Sequence, residues 1–409
     1  MLELRRCPKA DVRTGIRTVP PEETIRAAAP LLEKAGMEPL EDITGKDTTG
    51  IPVFSVYRKD TAKGTFGNYN GKGPTAEQAM ASAVMEAMER YCCERRESDT
   101  VVHGTYAEAS ETGPAVCPPD LILPRYALAS WRDAEIAWVR GYDLFSGSEV
   151  WVPACAAFYP YYPDGDMQLM RYNTNGLASG NTIEEAILHA LFELIERDAW
   201  SIADYREVSG RDIIVDDPDS VPGRLLERFS DAGAEISLKD LTSDIGITTI
   251  GAAADDVRTK DPEMLTIGVG THLDPEIAAV RALTEVAQSR TSHRHGLKVN
   301  AELRESTLKL GYDRIKALNP MWYRPSSDSV RLSEMESRST PYVLDDIEIV
   351  LGALMDAGFD SVIAVDFTRP ELGVPTVRMI VPGLEVYTMD TERMGGRLDN
   401  AFKTHQFGP

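Results

Sequence analysis

Apolar positions along this chain follow two periods, and the switch between them recurs. In LLEKAGMEPLEDITGKDTTGIPVFSVY, LLERFSDAGAEISLKDLTSDIGITTIGAAA and VLGALMDAGFDSVIAVDFTRPELGVPTVRMIV an amphipathic helical stretch gives way to β-rich runs. Each helix closes on Ala-Gly, at Gly36, Gly233 and Gly358, where glycine accepts the left-handed cap. Each first strand ends in Asp-x-Thr, beginning at Asp42, Asp240 and Asp366, and a second strand opens on Gly-Ile or Gly-Val. A separate hairpin, WVRGYDLFSGSEVWVPACAAF, should turn at Gly147. Helix then strand, repeated, predicts a mixed α/β protein with helices packed on sheets. The expected units are residues 1–135, 136–335 and 336–409, with the polar run at 324–341 as a linker.

Two helical stretches break the apolar pattern in the same way. GPTAEQAMASAVMEAMER (73–90) and GNTIEEAILHALFELIER (180–197) share Gly73/Gly180, Thr75/Thr182, Glu77/Glu184, Ala79/Ala186, Ala83/Ala190, Glu86/Glu193, Glu89/Glu196 and Arg90/Arg197. Residues three and four apart lie on one helical face, so each motif presents two glutamates and an arginine together. The second helix is apolar almost all round, and a carboxylate buried there must neutralise, pair or bind a cation. Solvated surface faces with i,i+4 pairs are the ordinary fate of either motif alone. The repeat favours a divalent cation, and glutamate oxygens suit magnesium, which completes its shell with water and phosphate. Gly71-Lys72-Gly73 and Gly180-Asn181-Thr182 precede the helices and can offer backbone N–H groups to anions.

A third helical stretch, RALTEVAQSRTSHRH, places Glu285, Gln288 and Arg290 near one face. Arg290 is expected as an exposed guanidinium that clamps a phosphoryl oxygen. His293 and His295 have the wrong spacing for a helical zinc pair, and His189 reads as a core histidine.

A net charge of -22 opposes binding to nucleic acid or anionic membranes. No apolar run is long enough to span a bilayer and the first residues lack a signal-peptide core, so a cytoplasmic protein is expected. Five cysteines without a CxxC fit neither a disulfide framework nor a zinc knuckle. Vicinal Cys92-Cys93 reads as a pair of small residues in a packed helix rather than a sulfur carrier.

The paired ExxER helices, NGKG, NTNGLASGNTIEEAILHALFELIERD and TEVAQSR resemble the YcaO family of ATP-dependent enzymes that activate backbone amides. GIPVFSVYR, TIGVGTHLDPEIAAVRALTEVAQSR and VPGLEVY further resemble its archaeal thioamide-forming subgroup, the methanogenesis marker proteins. The resemblance implies a YcaO-like fold around a nucleotide cleft, with ATP and Mg2+ as cofactors. It implies Glu86, Glu193 and Glu196 as magnesium ligands. Glu89, Asn181, Glu185, Arg197 and Arg290 match positions lining ATP, Ser82 lies beside them, and Arg17, Thr24 and Lys72 match further nucleotide contacts. Arg290 is also the implied catalytic residue.

In that family ATP phosphorylates a peptide amide oxygen, and a nucleophile then displaces phosphate. For the thioamide subgroup the nucleophile is sulfide, or sulfur from a donor protein, and the product is thioglycine in the alpha subunit of methyl-coenzyme M reductase. A TfuA-like partner and a homodimer are further expectations. Azoline-forming relatives commonly end in PxPxP, whereas this sequence ends in AFKTHQFGP, which argues against cyclodehydration. After Gly296, Leu297-Lys298-Val299-Asn300 replaces an Arg-acidic-acidic run common in the subgroup, which weighs against a third metal or phosphate contact there and against full activity. Two other classes remain open. One is a non-catalytic peptide-binding scaffold; the other is a di-metal oxidoreductase, which would want ExxH pairs.

Overall fold

A computed structural model describes residues 2–13, 15–62, 64–295 and 301–400. Lys298-Val299-Asn300 and the AFKTHQFGP tail lie outside the described residues.

Each of the three helix-then-strand repeats builds an antiparallel strand pair, and each pair sits in a different sheet. Glu41–Asp42 pairs with Val53–Tyr57 in a three-stranded sheet completed by Asn68–Lys72. Glu235–Asp240 pairs with Thr249–Asp255 in a five-stranded sheet, between Asp212–Ile214 and Ile267–Thr271. Ile363–Asp366 pairs with Thr376–Ile380 at the heart of a six-stranded sheet that also holds Val102–Gly104, Ile136–Asp143, Ser148–Pro153 and Leu177–Ser179. The repeated Asp-x-Thr is one local device. Asp42, Asp240 and Asp366 each accept the N–H of the threonine two residues on, at 2.9, 3.1 and 2.8 Å, which turns the chain out of its first strand. The preceding Gly36, Gly233 and Gly358 all have left-handed φ, as the Ala-Gly pattern requires.

Helices Val221–Asp231 and Val343–Asp356 follow the expected pattern, whereas the first repeat keeps only the single turn Leu31–Lys34 after Pro21–Ala28. Pro30 separates those two pieces, because proline cannot continue the helix that precedes it. The run at 324–341, expected as a linker, is built into the fold: Ser329–Arg331 pairs parallel with Asp212–Ile214, and Pro341 accepts the N–H of Lys9 at 2.9 Å. Lys9 itself is buried against Asp346 at 2.5 Å, anchoring the N-terminal segment on the Val343–Asp356 helix.

The second acidic helix, Ile183–Arg206, is 24 residues long and buries most of its length. It packs its apolar residues against the six-stranded sheet and the Val343–Asp356 helix, in a core containing Leu188, Leu191, Ile195, Ile347, Val377 and Met379. The first acidic helix, Ala76–Cys92, covers the three-stranded sheet through Ala83, Val84 and Met88. The helix carrying QSR, Pro275–His295, covers the five-stranded sheet. Among the described residues no helix is long and apolar enough to cross a membrane.

Candidate functional site

The shared Gly-x-Thr frame of the acidic helices is their N-cap. Thr75 Oγ1 accepts the N–H of Gln78 at 3.3 Å, and Thr182 Oγ1 accepts that of Glu185 at 3.2 Å. Close backbone approach sets the helices down on their strands. A Cβ on Gly71 would lie 2.0 Å from the Ala83 nitrogen, and one on Gly270 would lie 2.3 Å from the Ala278 oxygen on the QSR helix. Ser179, just before the second acidic helix, donates to the Met85 carbonyl of the first at 2.8 Å. Lys72, at the end of its strand, donates to Glu285 at 2.6 Å and brings in the third helix.

These contacts gather Glu86, Glu89, Glu193, Glu196 and Glu285. Burial pushes the first four above the ordinary carboxylate range, Glu89 to about 8 and Glu196 to about 7, and the neighbouring arginines offset only part of it. Glu285 falls below that range: burial opposes its charge, but Lys72 and Arg197 outweigh it. Arg90 stands 3.5 Å from Glu86 and 2.9 Å from Glu89, and Arg281 stands 3.8 Å from Glu196. The Nε groups of Arg197 and Arg281 are buried without a hydrogen-bond partner. Ser82 lies one helical turn before Glu86, on the same face.

The N-terminal segment closes over the start of the second acidic helix. Glu185 is fully buried, and its carboxylate accepts from the Thr18 N–H, from Thr18 Oγ1 at 2.5 Å, and from Asn181 N and Nδ2 at 2.9 and 3.0 Å. Arg17 approaches the same carboxylate at 3.5 Å and His189 Nδ1 at 3.3 Å, while Thr24 donates to Asn181 Oδ1 at 2.9 Å. Arg17, Thr24, Asn181 and Glu185 therefore form one cluster. His189 belongs to it: burial, then Arg281, Arg17 and Lys72, hold its imidazole well below the usual histidine range, so it is neutral.

Arg290 is not the exposed clamp expected from the sequence. Its side chain is 1% exposed and lies between two carboxylates, donating to Asp47 at 3.2 and 3.4 Å and standing 3.7 Å from Asp256. Burial alone would raise Asp47, but Arg290 holds it below its ordinary value. Only Nη1 of Arg290 is left without a partner. A cleft of about 490 Å³ runs between the Asn68–Lys72 strand and the QSR helix, lined by Glu86, Asn70, Thr266, Gln288, Ser292 and His293. That volume falls within the range of small-molecule sites.

Among the described residues no three His, Cys, Asp or Glu side chains converge on a single cation point. Glu86 and Glu89 turn instead to Arg90, and Glu196 turns to Arg281 and the Thr271 N–H. The chemistry of the donor set nevertheless fits a magnesium–nucleotide. Carboxylates raised by burial would gain from a divalent cation, and unpartnered guanidinium N–H groups would gain from phosphate oxygens.

A family model described as YcaO cyclodehydratase, ATP- and Mg2+-binding, matches residues 70–385. The chain belongs to the YcaO family. Members of this family are ATP-dependent enzymes, and its cofactors are ATP and Mg2+. The chain is 30% identical to YcaO from Methanopyrus kandleri bound with AMPPCP and Mg2+, with a TM-score of 0.79 over 95% of this chain and 98% of that one. It is 46% identical to an uncharacterised protein of Methanothermobacter thermautotrophicus, covering 93% of this chain and 98% of that protein. An uncharacterised protein in the tfuA 3' region of Rhizobium leguminosarum bv. trifolii is 33% identical over 90% of this chain and 89% of its own length.

Sequence reasoning did not find Arg281, Asp47 or Arg378, a buried arginine that acts electrostatically on Glu193 and Glu89, and it set His189 aside as core. Arg378 left a readable trace, a lone arginine in the apolar strand TVRMI. Asp47 left none, since an aspartate in GKDTTG looks like any turn residue.

Proposed function

We propose that this YcaO chain phosphorylates the oxygen of a peptide backbone amide with ATP and then replaces that oxygen with sulfur, giving a thioamide. The substrate we assign is a glycine in the alpha subunit of methyl-coenzyme M reductase. The observation that carries the activating half is the meeting of the burial-raised glutamates with arginines whose donors are unsatisfied. An amide is a poor electrophile until its oxygen becomes a leaving group, and phosphoryl transfer needs positioned charge above all.

In this reading Glu86, Glu193 and Glu196 hold Mg2+, which when bound neutralises phosphate charge. Lys72, Arg17 and Arg197 face phosphate oxygens, with Glu89 and Ser82 alongside. Glu185 and Thr24 fix Arg17, Thr18 and Asn181 rather than touching the nucleotide, because the Glu185 oxygens are already fully engaged. Arg290 offers its remaining Nη1 to the reacting phosphoryl group from a guanidinium locked by Asp47 and Asp256.

The sulfur half rests on the resemblance of GIPVFSVYR, TIGVGTHLDPEIAAVRALTEVAQSR and VPGLEVY to the thioamide-forming subgroup, and on the cysteines. Cys92 and Cys93 are fully buried; burial drives the Cys93 thiol far above its ordinary range, and it donates to the Tyr159 carbonyl at 3.1 Å. Such a thiol is a poor nucleophile. Sulfur therefore comes from sulfide or a donor protein. The relative from a tfuA 3' region supports a TfuA-like partner. We place the enzyme in the cytoplasm as a homodimer.

The family description, cyclodehydratase, favours a second reading, formation of an azoline from a Cys, Ser or Thr of the peptide. One experiment separates them: target peptide, ATP and Mg2+ are incubated with and without sulfide and analysed by mass spectrometry. Thioamidation requires sulfide and exchanges one oxygen for one sulfur. Azoline formation proceeds without sulfide and removes one water. ATP left intact with peptide present would leave only a scaffold.

A further inference from the structure

Beside the glutamate cluster lies a second, smaller cavity of about 50 Å³, lined by Leu121, Cys155, Met170, Leu194, Arg378 and Arg393, among others. Both arginines are buried, at 6% and 5% exposure. Arg378 donates from Nη1 and Nη2 to Asn173 O and Oδ1 at 2.8 and 3.0 Å, and its Nε has no partner. Arg393 donates to the carbonyls of Ile122 and Leu121 at 2.9 and 2.6 Å. Among the described residues neither has a carboxylate within ion-pair distance, unlike Arg90, Arg290, Arg369 and Arg397.

Two buried guanidiniums on one cavity with no carboxylate in contact are costly, because carbonyl dipoles do not cancel a net charge; Glu193 acts on Arg378, and Asp390 and Glu385 on Arg393, only from beyond ion-pair distance. Burial brings Arg378 down to about 10, which still leaves it charged at neutral pH. Cys155, which lines the cavity, cannot supply a contacting anion, since burial pushes its thiol up to about 11. The space admits only a few water-sized particles, which excludes a nucleotide or a peptide side chain. Arg171, Asn173 and Asn175 also line it beside apolar Leu121, Met170 and Leu194, but the space is too small for an ion to keep its shell of water, which favours a weakly hydrated one.

We propose that the Arg378–Arg393 cavity binds a small, weakly hydrated monovalent anion, and that during turnover the ion is hydrosulfide held ready for the activated amide. The hydrosulfide assignment rests on the thioamide reading; the anion site does not. Leu194, which lines the cavity, follows Glu193 directly in the second acidic helix, so the cavity adjoins the charges assigned to phosphoryl transfer, and Arg378 acts electrostatically on both Glu193 and Glu89. In the step it serves, the sulfur lone pair forms the C–S bond, the C–O bond to phosphate breaks with its electron pair leaving on phosphate, and the S–H proton passes to water.

The test begins with wild-type crystals soaked in bromide, a stand-in of the same charge and similar size. The expected result is an anomalous peak between Arg378 and Arg393. No peak at saturating bromide overturns the site, whatever the enzyme catalyses. In solution, bromide should compete with sulfide but not with ATP, and Arg393→Gln should raise the KM for sulfide about tenfold with kcat held, the weight of one charge-assisted contact. A peak without competition overturns the hydrosulfide assignment and leaves a structural anion. If Arg393→Gln fails to fold, the wild-type soak and competition still decide. Absence of any thioamide product would sink the thioamide reading and leave the bromide result standing.

Discussion

Glu196 accepts a hydrogen bond from the backbone N–H of Thr271 at 3.0 Å, joining the second acidic helix to the strand that leads into the QSR helix. The contact ties a carboxylate assigned to magnesium to the five-stranded sheet, so that cation binding and the seating of that sheet are coupled.

Magnesium binding should strengthen with pH. Burial raises Glu89 to about 8 and Glu196 to about 7, above their unfolded values, so the folded chain keeps protons that the unfolded chain has released. Without ligand, stability declines as pH rises from the ordinary carboxylate range, and the penalty is complete above about 8. A cation must displace those protons. Calorimetry in two buffers of different ionisation enthalpy should show proton release, with affinity for Mg-nucleotide increasing between about pH 6 and about pH 8.5. Glu196→Gln should flatten that profile; an unchanged slope would remove Glu196 from the site.

Arg290 should matter to the fold as much as to the chemistry. An exposed guanidinium, as expected from the sequence, would let Arg290→Lys keep the melting temperature, but one 1% exposed between Asp47 and Asp256 predicts the opposite. Arg290→Ala should cost about 3–5 kcal/mol by leaving buried carboxylates unpaired. Arg290→Lys should cost less, since it keeps the charge and loses the fork. Denaturant titration measures both, and an unaltered Arg290→Lys midpoint would mean that the buried pairing is dispensable.

Gly71→Ala should be severe for its size. Its Cβ would meet the backbone of the first acidic helix at Ala83 and Ala79, at 2.0 and 2.2 Å, and backbone cannot swing aside like a side chain. The expected loss is about 3 kcal/mol or more, with nucleotide binding weakened because Glu86 moves with the helix. Gly36→Ala is the control: it meets no atom within 4 Å, but its φ of +69° carries a strain of about 1 kcal/mol. Equal melting temperatures for the two variants would refute the close-packing argument.

Replacing Cys92 and Cys93 together with Ala should leave sulfide-dependent thioamide formation intact. Both thiols are fully buried, so the cost is a loss of packing of about 1 kcal/mol each. Product lost with ATP binding preserved would show that these thiols carry sulfur.

The acidic helices were legible because their signal is local. N-cap threonines, glycines at close approach and glutamates a turn apart are all fixed by short spacings, and the structure brings both motifs to one place. The helix-then-strand repeat was legible for the same reason, down to the Asp-x-Thr turn. What was not legible depends on distant parts of the chain. Arg290 reads as a surface clamp until Asp47, 243 residues earlier, is placed beside it. Lys72 reads as part of an anion-binding loop until Glu285 meets it. The run at 324–341 looks like a linker because its single strand is three residues long and takes its pairing from Asp212–Ile214.

The six-stranded sheet also sets the order in which the molecule can be made. Ser179, which fastens the two acidic helices together, lies in a strand whose neighbour begins at Thr376. During synthesis both helices leave the ribosome long before that partner exists, with Leu188, Leu191 and Ile195 uncovered. Such delayed, long-range pairing makes folding slow and exposes apolar surface to aggregation. Ability to bind nucleotide then arrives late, near the end of translation, and the half-made chain must be sheltered until it does.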